Sequence, residues 1–145
     1  MRVGRLLLTL AIAAVVCCEK RPADGEIKSV LDAKIRCTQQ GKNWLAEFAK
    51  QHENLGESVS KGQFSYNRQM DTCLCYYDVS YQGTVTSQVR DILSNQVVVS
   101  FMSGPDANGK PRVIGRDTRT GAVPPRDLDD FDARVKALGF NPYSG

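Results

Sequence analysis

The 145 residues carry 19 Lys and Arg against 16 Asp and Glu, a formal charge of +3 that falls to +1 once Arg2 and Arg5 are set aside. No basic stripe with interleaved aromatics survives that subtraction, which argues against nucleic acid as a partner. There is no repeat and no low-complexity tract, and the roughly 125 residues beyond the N-terminal segment suffice for one domain with a modest core.

Arg2 and Arg5 lead into an uncharged run, residues 6–16, too short to cross a bilayer comfortably but of the length of a signal-peptide core. Residues 1–18 therefore read as a signal peptide, 19–25 as a linker and 26–145 as a single α+β domain. The chain is expected to be exported, either facing the periplasm or secreted. The run ends in "AAVVCCEK", which sets Cys17 and Cys18 where a bacterial lipoprotein carries its lipidated cysteine. Val16, or Cys17 before Cys18, stands where that signal normally has a small residue. Ordinary cleavage is the competing reading, with Val15 and Cys17, or Ala11 and Ala13, in the specificity positions. A diacylated cysteine would tether the domain to one leaflet, so a membrane is expected as a partner only through a lipid anchor.

From Glu26 the apolar residues Ile27, Val30, Leu31, Ile35, Cys37, Gly41, Trp44, Leu45 and Phe48 recur at helical spacing and predict a long amphipathic helix ending near His52 to Asn54. Gly41 inside it costs about 1 kcal/mol relative to Ala, which points to a close approach to the sheet or a bend. Beyond Gly62 the period changes to two. Phe64 and Tyr66, then residues 72–82, 84–92 and 97–102, predict an antiparallel meander of about four strands, with a short further strand at 112–115. In the longest strand Cys73, Cys75, Tyr77, Val79 and Tyr81 share one face, and Leu74, Tyr76, Asp78 and Ser80 the other. Residues 127–138 close the chain as a helix. Asp127, Asp129 and Asp130 complement its positive end, Arg134 and Lys136 its negative end, and Gly139 stops it. Leu128, Phe131, Val135 and Leu138 are its expected buried stripe. The architecture predicted is α+β: a long N-terminal helix packed on the meander, closed by a C-terminal helix.

Cys73 and Cys75 lie on one strand face about 7 Å apart along the strand, at ~3.3 Å rise per residue, and are poorly placed to bond to each other. Cys37, on the helical stripe that must pack on this sheet, supplies a partner in an oxidising compartment. Spacing alone leaves open whether that partner is Cys73 or Cys75. A Cys37–Cys73 bridge would close a loop of about 37 residues, worth roughly 3 to 4 kcal/mol in the chain-entropy picture. Cys75 would then be a buried free thiol.

Cys37-Thr38-Gln39-Gln40-Gly41 on a helix, followed by Tyr66-Asn67-Arg68-Gln69-Met70-Asp71-Thr72-Cys73 leading into a strand, resembles a pattern in uncharacterised exported bacterial proteins and lipoproteins. There it runs Cys-Ala-x-Gln-Ala on the helix and Tyr-Asn, two residues, Leu, Asn or Asp, one residue, Cys before the strand. Val89-Arg90-Asp91 and Asn95-Gln96 match a later hairpin of the same pattern, so the resemblance covers residues 35–102. Gly41, Met70 and the additional Cys75 depart from it. The resemblance implies a helix-to-sheet disulfide between Cys37 and Cys73, and no activity.

The remaining chemistry is sparse. His52, about 22 Å along the helix from Cys37 at 1.5 Å per residue, is too far to join Cys37, Cys73 and Cys75 around zinc. Asp106 and Asn108 imitate the opening of a calcium loop, but Lys110 occupies the next ligand position. Asp127, Asp129, Asp130 and Asp132 read as helix-terminal acids, and Tyr76, Tyr77 and Tyr81 as core and rim of a sheet rather than a binding face. No catalytic constellation, metal or cofactor is identified. The expected function is that of a non-enzymatic cell-envelope protein that binds an envelope protein or a small ligand. The alternative is a thiol-dependent redox or metal-binding protein using Cys75 beside the disulfide.

Overall fold

The computed structural model describes residues 24–105 and 108–142. The expected signal segment, with Cys17 and Cys18, lies outside the described residues, as does most of the expected linker. Helix α1 (Asp24–Glu53) begins two residues before the expected Glu26. Six strands follow: β1 (Ser58–Val59), β2 (Gln63–Asn67), β3 (Thr72–Tyr81), β4 (Thr84–Asp91), β5 (Gln96–Pro105) and β6 (Pro111–Asp117). Helix α2 (Leu128–Ala137) closes the described chain.

The α+β class is as expected, whereas the strand count is six rather than about four. At two residues, β1 is too short to leave a periodic signature, and it forms by pairing Ser58 and Val59 with Ser80 and Val79. The expected strand at 112–115 is the middle of β6, whose Pro111 and Gly115 read locally as strand breakers. All pairings are antiparallel. β1 and β2 share one edge of β3, and β4, β5 and β6 follow on the other side.

The two faces of β3 feed two cores. Cys75, Tyr77 and Val79 pack with Trp44, Leu45, Phe48 and Phe64 under α1. Leu74 and Tyr76 join Val89, Val99 and Phe101 beneath Phe131, Val135, Leu138 and Phe140 of the α2 region. The helices therefore cover opposite faces of the sheet, α1 over β1 to β3 and α2 over β5. A Cβ on Gly41 would overlap the Phe64 ring, which makes the glycine a condition of the close approach between α1 and β2.

Three expected core residues are not in the core. Leu31 and Ile35 are 55% and 54% exposed, because the line of α1 that meets the sheet runs through Val30, Ala33, Cys37 and Gly41, and they fall beside it. Leu128 is 53% exposed, since α2 reaches the core only from Phe131, one turn in. The ends of α2 follow expectation. Asp127 caps it by accepting a hydrogen bond from the Asp130 N–H at 2.8 Å, and Gly139 follows Leu138 at φ +95°.

Candidate functional site: the disulfide and the cleft above it

Cys37 on α1 and Cys73 at the second position of β3 form a disulfide, with Cα atoms 5.3 Å apart. Gly41, one turn along α1, lets the helix lie against Phe64, and this brings Cys37 down onto the start of β3. Of the two strand cysteines left open by spacing, Cys73 is the one in the bridge. Cys75 is a free thiol with no exposed surface. Burial pushes its pKa up to about 12, against a smaller opposing effect of the Arg90 charge. It holds essentially no thiolate at neutral pH.

The bridge lies in the wall of an open cleft of about 430 Å³. Val30, Ala33, Arg36 and Gln40 of α1 line one side, Tyr66, Thr72 and Asp71 the strand side, and Leu93 of the β4–β5 turn closes the far end. Two hydrogen-bonded pairs hold the strand side. The Tyr66 hydroxyl donates to Asp71 Oδ1 at 2.5 Å, and this bond is the main cause raising the tyrosine pKa. Thr72 Oγ1 donates to Asp91 Oδ1 at 2.6 Å, and the same oxygen accepts the Leu93 and Ser94 N–H groups at 2.9 and 3.3 Å. Burial favours the neutral form of Asp91, but these donors outweigh it and lower the pKa. The carboxylate thus ties the Leu93 turn to β3, fixing the cleft's far wall. Arg36 and Leu93 have no motif of their own, whereas Gln40 is the glutamine of the Cys37 to Gly41 pattern. Helical spacing from Cys37 would have placed Ala33 and Gln40 beside the bridge, whereas Arg36, the adjacent residue, does not follow from that spacing and Leu93 arrives only through the sheet register.

The other sequence candidates are dispersed. His52 Nδ1 pairs with the Glu57 carboxylate, and its ring packs 3.9 Å from Phe48. Asp106 lies outside the described residues, and Asn108 and Lys110 are exposed. Asp127 caps α2 and Asp130 pairs with Arg134 at 3.1 Å, while Asp129 is exposed and Asp132 buried. Tyr76 and Tyr77 point to opposite sides of the sheet, Tyr76 toward Phe131 and Phe140 and Tyr77 toward Trp44 and Phe48, while Tyr81 is exposed. Among the described residues no group of three His, Cys, Asp or Glu side chains is placed to hold a metal ion. No described helix is long and apolar enough to cross a membrane.

One arrangement has no counterpart in the sequence reading. Arg90 lies over Trp44 and Phe48 at 5.9 and 5.6 Å from their ring centres, donates from Nε to the Tyr77 hydroxyl at 3.0 Å, and reaches Asn95 Oδ1 at 3.0 Å. It joins the flank of α1 to the β4–β5 turn from the side opposite the bridge's own strand edge. The guanidinium braces α1 against the sheet outside the cleft, whose lining includes none of Arg90, Trp44 and Phe48. The chain matches no protein-family model, no curated protein and no solved structure.

Proposed function

We propose that this chain is a non-enzymatic protein of the bacterial cell envelope, periplasm-facing and tethered to a leaflet through lipid on Cys17 or Cys18. It acts by binding an envelope protein or a small ligand in the cleft over its disulfide. The observation that carries this reading is the double role of the Cys37–Cys73 bridge, which ties α1 to the sheet and also forms part of the cleft wall. A bridge of this kind persists in an oxidising compartment and is reduced in a cytosol, so the surface it shapes suits an exported chain. On the strand side Tyr66 is paired with Asp71 and Thr72 with Asp91, and an occupant would meet a formed surface there rather than order a loose one. Val30, Ala33 and Leu93 supply apolar area, and Arg36 and Gln40 supply donors, the mixture expected of a recognition surface. The competing thiol-dependent reading draws little support from Cys75, which is buried and protonated.

Two measurements test the two parts. The protein produced with its own N-terminus is fractionated and weighed by mass spectrometry, alongside a variant with Cys17→Ser and Cys18→Ser. The expected result is membrane-associated protein with added acyl mass, both lost in the variant; a water-soluble species with no acyl mass removes the anchor. A photo-crosslinking residue is then placed at Leu93 or, as a similarly exposed control, at Leu128. An adduct specific to position 93 in living cells is expected, and equal or absent crosslinking there removes the cleft.

A further inference from the structure

The sheet ends on β6, which pairs only with β5 and leaves its other edge unpaired among the described residues. The register puts Arg112, Ile114 and Arg116 on one face, opposite Gly104, Met102 and Ser100 of β5. This face continues through Thr86 and Gln88 to Val79 and Tyr77, and so is the face that α1 covers at the other end of the sheet. Among the described residues α1 lies over β1 to β3 and meets β4 through Arg90, while on β6 this face is exposed at Arg112, Ile114 and Arg116. Ile114 is 36% and Val113 52% exposed.

The charges on this edge are unbalanced. Arg119, Arg126 and Arg134 nearby are each paired with Asp117 or Asp130. Asp117, the acid of β6, faces the α2 side with its side chain fully buried between Arg119 and Arg134. The side chains of Arg112 and Arg116 are exposed and make no hydrogen bond or ion pair with a described residue. The edge thus offers an unpaired backbone ladder flanked by a basic, apolar, basic row of side chains.

A second copy of this chain fits that row badly. Antiparallel self-pairing that sets Ile114 against Ile114 places Arg112 opposite Arg116 at both ends, and like charges directly opposed destabilise a ladder. The arginines therefore guard against edge-to-edge self-association while attracting the opposite charge. We propose that the free edge of β6 docks an acidic extended segment of a partner protein. The segment adds as a seventh, antiparallel strand, with carboxylates opposite Arg112 and Arg116 and an apolar side chain opposite Ile114. Backbone pairing supplies the attachment, and the alternating side chains supply the selection. The carboxylates must be four residues apart in the partner, because only every second residue shares a face. This surface and the disulfide cleft occupy different edges of the sheet, so either can fail without the other.

The test is a titration of the isotope-labelled intact protein, followed by NMR, with two peptides, acetyl-Thr-Glu-Thr-Val-Thr-Glu-Thr-amide and its counterpart with Lys in place of both Glu. The acidic peptide should shift amide signals confined to β6 and the adjoining β5, at concentrations about tenfold lower than the lysine peptide requires. The preference should fade as salt is raised. The double variant Arg112→Glu, Arg116→Glu should invert it, and unchanged signals elsewhere show that this variant is folded. Equal responses to both peptides, shifts away from β6, no response up to the solubility limit, or a dimer paired through β6 without peptide would each overturn the proposal.

Discussion

Gly41 and Phe64 form a contact that neither residue's own preference suggests. A glycine in mid-helix weakens α1 by about 1 kcal/mol relative to alanine, yet an added methyl would run into the Phe64 ring at Cδ1 and Cε1. Overpacking of this kind costs roughly 1 to 3 kcal/mol, more than the helix gains. Gly41→Ala should therefore lower the denaturant midpoint by an amount equivalent to about 1 kcal/mol. In a Phe64→Ala background the same change should become neutral or stabilising, and a loss of equal size in both backgrounds would show that the ring is not the obstacle. Cys75 tests burial in the same region. With Cys17 and Cys18 changed to Ser, native protein should not react with a thiol reagent at neutral pH, whereas denatured, unreduced protein should show one modified thiol. Rapid native labelling would mean that the α1 face opens readily.

Among elements, two ties hold the helices to the sheet. The Cys37–Cys73 bridge closes a separation of 36 residues and fastens α1 at the point where its first half runs beyond the main core. Changing both cysteines to Ala should cost about 2 to 5 kcal/mol, and hydrogen exchange should rise first along residues 28–37. Stability lost with no local change in exchange would place the bridge's effect in the unfolded chain. The second tie is Asp117, which joins β6 to the segment before α2 and to α2 itself through Arg119 and Arg134, at 2.5 and 2.8 Å. Burial acts to raise its pKa, but the guanidinium and backbone hydrogen bonds prevail and hold it at about 2 rather than 3.8. With the folded value below the unfolded one, the stabilisation is complete above pH 4 and disappears as pH falls through about 2, a contribution of about 2 kcal/mol. Asp117→Asn should remove that contribution at neutral pH and flatten the stability profile between pH 4 and 2. An unchanged acid limb would assign the acid sensitivity to other carboxylates.

The whole molecule is a sheet with two cores that share β3. Its odd residues pack under α1 and its even residues under the α2 region, so neither core can dissolve without loosening the strand that serves both. Unfolding followed by Trp44 fluorescence, which reports the α1 side, and by circular dichroism of the whole chain should give coincident transitions. An early Trp44 transition would show that α1 detaches as a unit. The Tyr66–Asp71 and Thr72–Asp91 pairs and the bridge converge at one end of this shared strand, and together they brace the cleft that opens there.

Much of this fold is legible in short stretches of the chain. The alternation through residues 72–82 sorts Cys73, Cys75 and Tyr77 from Leu74 and Tyr76, because a strand turns successive side chains to opposite faces wherever it lies. Asp127 and Gly139 bound α2 by the same local reasoning, and a partner for Cys37 on β3 follows from two faces that must meet. What the tertiary structure alone decides depends on where elements cross. Leu31 and Ile35 satisfy the helical period but fall outside the line that touches the sheet, and β1 and the outer parts of β6 exist because a neighbouring strand accepts their backbone groups. The choice of Cys73 over Cys75 turns on where along β3 Cys37 comes down, with Cys75 two residues on beneath Trp44 and Leu45, an offset that no spacing in the sequence encodes. Leu93 reaches the cleft, Arg90 reaches Trp44 and Asp117 reaches Arg134 across long sequence separations. Such contacts are set by the sheet register and by which face each helix takes, not by local preference.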